Sequence, residues 1–158
     1  MPKKNKDAGD QEPVCDWQQS ASRAKGASNT DRIYRHAGGC RWRGVATERY
    51  KKKGGGWSDI ARNVLIGNCG ESTRFHLRYF EIASGGYSSL ESHRHEHVVV
   101  CIKGKGKVRL GGRSQVIRFL DTVYIAPNTI HQLSNPYEEP FGFFCIVNAK
   151  RDKPKLMD

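Results

Sequence analysis

Three histidines lie at every second residue, His93, His95 and His97, and a fourth, His131, follows after an interval rich in strand formers. Neutral imidazole is the commonest side-chain metal ligand, so a tight group of rings answered by one distant ring suits an ion held between neighbouring strands. On a straight strand residues 91, 93, 95 and 97 would share one face, which adds Glu91 to the set. Residues two apart have Cα atoms about 6.6 Å from each other, close enough for both side chains to reach one ion. His93 and His97 would be about 13 Å apart, at the limit for two imidazoles, so the chain must bend between them if both bind. Spacing alone leaves open whether His93 pairs with His97 or with His95. Two further residues have the right type for handling a substrate. Arg78 precedes the cluster on an apolar stretch and, if it faces inward, suits an anion. Tyr124 precedes His131 and suits proton or hydrogen-bond donation.

The elements that must position these groups read as strands throughout. Short runs rich in Val, Ile, Phe and Tyr, punctuated by Gly, Pro and Asn, span 61–66, 74–83, 87–93, 97–102, 106–110, 114–119, 122–125, 131–134 and 141–148. No stretch shows a helical period. Gly111-Gly112 between two alternating runs marks a hairpin turn, because glycine adopts positive φ without a Cβ clash. Many short strands in about 90 residues imply a sandwich or barrel. Alternation cannot decide between Arg78 and Tyr79 as the inward residue, since the face is set by pairing that the sequence does not reveal. Cys101 shares the parity of His97, and Cys145 lies in the apolar run Phe143 to Val147; buried packing is the ordinary role of such thiols.

With these residues in place, the segment from Gly85 to Asn135 resembles the cupin family. The first cupin motif has a glycine, two ligands separated by one residue, a third ligand four residues on, and a glycine seven residues later. Counting back from Gly104 puts His97 at the third position and Glu91 and His93 at the first two. The second motif is matched by Ala126-Pro127-Asn128-Thr129-Ile130, then His131, then Asn135. The resemblance spans roughly residues 60 to 150 and departs from the usual pattern at two points: Glu91 stands where a His is common, and His97 where a Glu is common. It implies an all-β fold, a single double-stranded β-helix or jelly-roll barrel. It also implies metal ligands His93, His97 and His131, with Glu91 as fourth ligand or tuning group and His95 at the turn between two strands as an alternative ligand. The implied cofactor is a divalent transition metal, Fe, Mn, Ni, Cu or Zn, and small cupins commonly form homodimers.

Charge is unevenly distributed along the 158 residues: 1–56 hold 13 Lys/Arg against 6 Asp/Glu, and 57–158 hold 14 against 10. The basic excess therefore sits mostly before the patterned region. Residues 1–30, polar and without period, read as a disordered basic tail. Residues 31–56 read as an irregular arm anchored by Trp42, ending in a Lys/Gly linker; 57–150 form the barrel, with Trp57 as a second contact for the arm, and 151–158 a C-terminal tail. The arm lacks a series of aromatics for base stacking, which argues against nucleic acid as partner. No apolar run is long enough to cross a membrane as a helix, and five widely spaced cysteines suggest no disulfide framework, so a cytoplasmic location is expected. The functional expectation is a metal-dependent oxygenase or lyase acting on a small polar or carbonyl-containing molecule, with Arg78 and Tyr124 orienting substrate. A non-catalytic metal or small-molecule sensor is the alternative.

Overall fold

The computed structural model describes residues 31–49 and 58–157. The basic tail, the Lys/Gly linker and Trp57 lie outside them. Eleven strands run in order: β1 (Thr47–Arg49), β2 (Ser58–Ile66), β3 (Phe75–Tyr87), β4 (Glu91–Ser92), β5 (His97–Lys103), β6 (Lys105–Leu110), β7 (Arg113–Arg118), β8 (Thr122–Ile125), β9 (His131–Ser134), β10 (Phe141–Asn148) and β11 (Lys155–Leu156). The described residues contain no α-helix. All pairings are antiparallel, along the path β11-β4-β9-β3-β10-β5-β8, with β2 also on β3 and the β6–β7 hairpin on β9. This is the expected jelly roll, nearly closed on itself. The β6–β7 turn falls at Gly111-Gly112, where the sequence marks it.

Two strands expected between 74 and 93 are joined differently. Rather than ending at Ala83, β3 runs on through Gly85 and Gly86 to Tyr87 and changes partner on the way, leaving β10 for β9. The exchange is made by two backbone bonds, Gly85 N–H to the Asn135 carbonyl at 2.8 Å and Asn135 N–H to the Gly86 carbonyl at 2.9 Å. A Cβ on Gly86 would stand 2.9 Å from the Ser58 carbonyl oxygen, so the corner needs a residue without one. The Asn135 side chain fills the inside of this corner, donating from Nδ2 to the Ile82 and Glu139 carbonyls.

Register fixes three layers inside the barrel. At the floor Phe80, Ile82, Cys101, Phe141 and Phe143 are buried together, with Phe80 stacked on Phe143 at 5.5 Å. One pleat up, Arg78 lies opposite Cys145, and Cys145 opposite Val99. The next pleat sets His76 opposite Val147 and Val147 opposite His97. On the other wall Glu91 and Leu110 both lie opposite His131.

Both faces of the central strands are covered, because the arm packs outside the barrel. Tyr79, alternating with Arg78, points outward, where Trp42 meets it at a centroid distance of 4.8 Å and Cys40, Ala61 and Leu65 complete a second apolar cluster. Trp42 therefore anchors the arm as its sequence suggests. The C-terminal segment departs from expectation: instead of a tail, it forms β11, which pairs with β4, and Met157 N–H donates to the Leu90 carbonyl.

Candidate metal centre

The histidine cluster straddles the break between β4 and β5. His93 leaves β4, His95 sits in the bend, and His97 opens β5. The bend is fixed by His93 Nδ1, which lies 2.7 Å from the His95 carbonyl, and by Asn128 N–H, which donates to the His93 carbonyl across from the second motif. It shortens the span that a straight strand would leave between His93 and His97: their ring centroids stand 4.4 Å apart. His131 enters from β9 with its ring inclined at 73° to His93 and 64° to His97, at centroid distances of 4.8 Å and 5.4 Å. The ligand atoms of His93, His97 and His131 all lie within 4.8 Å of one another, and all three side chains are buried.

Each ring is held by its other nitrogen. His131 Nδ1 meets the Thr129 carbonyl at 2.8 Å, as His93 Nδ1 meets that of His95, and His97 Nδ1 lies 3.5 Å from Cys145 Sγ. A carbonyl can only accept, so these contacts place the proton on Nδ1 of His93 and His131 and leave Nε2 with a lone pair. The Nε2 atoms of His93 and His97 are buried without any hydrogen-bond partner. Burial holds both imidazoles neutral: it lowers the His93 pKa, aided by the neighbouring His95, and takes His97 down to about 2, aided by His93 and Arg78. Neutral rings with orphaned, convergent lone pairs fit a transition-metal ion.

His95 and Glu91 stand beside this group and not within it. The His95 ring is stacked on His93 at 3.7 Å, and its Nδ1 is 2.8 Å from Asp152 Oδ1. Asp152 also accepts from Arg94 N–H, at 3.0 and 3.2 Å to its two oxygens, and these contacts hold its carboxyl well below the usual acid range. The C-terminal segment thus clamps the ligand bend from outside. Glu91 is buried and lines the cavity beneath the rings, but its carboxylate does not converge with the three imidazoles. That cavity has about 30 Å³ of free space, room for about two waters, between Arg78, Glu91, His97 and His131 on its polar side and Phe80, Val99 and Phe143 on its apolar side.

Residues 78–147 match the family model described as a cupin domain. A curated relative from Rhodospirillum rubrum, named 1-methylthio-D-xylulose 5-phosphate methylsulfurylase, is 40% identical over 131 residues, 82% of this chain and 83% of that one. The chain is a cupin. Among solved cupins, a cupin-2 domain of Rhodospirillum rubrum is 39% identical, covering 75% of this chain and 78% of that chain, with a TM-score of 0.69. A cupin 2 conserved barrel domain protein of Rhodopseudomonas palustris is 34% identical over 80% and 87% of the two chains, with a TM-score of 0.74.

The remaining candidates of this cupin separate cleanly. Arg78 faces into the cavity, 8% exposed, with Nη2 3.2 Å from Cys145 Sγ and the guanidinium 5.2 Å from the Phe80 ring centre. Tyr124 does not reach the site. It lies opposite Val98 on the outer face, 62% exposed, while its neighbour Ile125 takes the inward place opposite His97. The place of Tyr124 just before His131 in the chain carries no information on facing, which the pairing of β8 with β5 decides. Two residues were missed. Asp152 is a single acid among lysines with no period to announce it. Cys145, whose ordinary role would be packing, has its sulfur between His97 and Arg78; burial raises its pKa, with Arg78 working in the opposite direction.

Proposed function

We propose that this cupin is a metal-dependent enzyme acting on a small phosphorylated ketose that carries a thioether beside its carbonyl, and that it breaks the carbon–sulfur bond. The observation that carries the reading is the buried triad of His93, His97 and His131, whose Nε2 atoms on His93 and His97 have no partner in the protein. The substrate class comes from the methylsulfurylase relative, whose 40% identity spans most of both chains. A metal in such a site acts as a Lewis acid toward a carbonyl oxygen.

The chain's own residues supply the rest. Three neutral imidazoles add no charge to the site, and Glu91 beneath them is the carboxylate nearest by register, opposite His131. The apolar wall of Phe80, Val99 and Phe143 lowers the polarity on one side of the reacting end, which strengthens the polar contacts made there. With the carbonyl polarised, the carbon beside it can take the electron pair of its bond to sulfur as an enolate, provided that a thiol accepts the methylthio group and a proton is returned to carbon.

The test is turnover. Metal-stripped protein is reloaded separately with Mn, Fe, Ni, Cu and Zn and incubated with 1-methylthio-D-xylulose 5-phosphate and dithiothreitol, and products are followed by mass spectrometry. The expected result is loss of the methylthio group with at least one metal and none in His131→Ala. Saturable binding without turnover under every metal would refute the enzyme reading and favour a sensor.

A further inference from the structure

We propose that Arg78, with His76 and Arg151 above it, forms a seat for the oxyanion of a phosphate monoester beside the metal layer. The proposal rests on the functional reading only for the choice of phosphate; the seat itself is argued from the barrel.

Arg78 is out of place as a structural residue. It is 8% exposed, its Nε is buried with no hydrogen-bond partner, and the acceptor facing its Nη2 is a thiol, among the weakest available. A buried guanidinium in a merely structural role is ordinarily met by a carboxylate or several carbonyls, because stripping water from a charge is costly. Here the apolar Phe80 ring lies against one side, Glu91 lines the same cavity, and the Nε donor remains unused. The fork of Nε and Nη is the geometry that binds two oxygens of a phosphate.

Its surroundings extend the same charge toward solvent. One pleat along the same face of β3, His76 is half-buried, and Arg151 reaches over it from the segment after β10, with Nη1 3.2 Å from His76 Nδ1. Arg151 also donates to the Asn148 carbonyl, which fixes its course across the rim. Arg151 therefore meets an entering anion first, and Arg78 holds it below. A single sulfur atom, Cys145 Sγ, stands between Arg78 and His97, at 3.2 Å from Nη2 and 3.5 Å from Nδ1. An anion on Arg78 is thus a short chain of atoms from the triad, a span that a small sugar phosphate can bridge.

The experiment uses inorganic phosphate and the full chain stripped of metal, so that it depends on neither metal loading nor turnover. Isothermal titration calorimetry of the wild type should show saturable binding, weakened at least tenfold in Arg78→Met and measurably in Arg151→Met. Because Met replaces a buried charge with an apolar chain of similar length, Arg78→Met should melt no lower than the wild type, which separates lost binding from lost folding. Arg78→Lys, which keeps the charge but not the fork, should fall between them. Absence of phosphate binding in the wild type, or equal affinity in a folded Arg78→Met, would overturn the seat. Neither result would bear on methylthio turnover, so failure of the seat and failure of the enzyme reading remain distinguishable.

Discussion

Without a bound metal the stability of this barrel should fall steeply with acid, and His97 should be the main reason. In the folded protein burial keeps the His97 pKa at about 2, against 6.5 for a free imidazole. A group whose folded pKa is depressed binds its proton in the unfolded chain first. Stability is then complete above the unfolded value and declines as pH falls below 6.5, continuing until the folded value is reached. Between pH 7.5 and 5.5 the expected loss from His97 alone is about 1.4 kcal/mol, and it stays near that figure for any folded pKa below about 4.5. His93, whose pKa burial also lowers, adds in the same direction. Urea unfolding of chelator-treated wild type and His97→Gln, at both pH values, measures the difference. The variant should lose about 1.4 kcal/mol less than the wild type over this window. Equal losses in the two proteins would refute the argument, since they would mean that His97 takes up a proton as readily folded as unfolded.

Two other perturbations follow from the packing. Gly106 faces the fully buried Phe141 ring, with which a Cβ would collide, so Gly106→Ala should destabilise the barrel by about 1–3 kcal/mol in the same urea assay. Asp152→Ala removes the acceptor for His95 and for Arg94 N–H; it should weaken metal affinity by up to about tenfold in chelator competition and speed amide exchange at residues 92–94.

What the sequence revealed divides along a physical line. Strand positions are written locally, in runs such as Phe141 to Asn148 bounded by Pro140 and Ala149, and so they were legible. The spacing of the converging rings was legible for the same reason, because His93 and His97 keep their counts from Gly104, whereas Glu91, which keeps its count too, stands beside the group. Facing is not local. Arg78 rather than Tyr79 points inward because β3 pairs with β10 in a register set by residues some 65 positions away, and Tyr124 faces outward because β8 pairs with β5 in the register that sets it opposite Val98. The contact of Asp152 with His95 spans 57 residues and depends on β11 finding β4, which no pattern in the basic C-terminal segment announces.

The placement of β10 between β3 and β5 has a consequence for how the protein is made. β5 carries His97 and β3 carries Arg78, and the strand that ties them together is synthesised after both. A chain still attached to the ribosome that has released residues through His131 has every ligand of the triad, yet lacks the strand that joins the two walls. The site therefore assembles only once Phe141 to Asn148 have emerged, and a chain that stops short of β10 would carry the three histidines without the strand that brings their walls together.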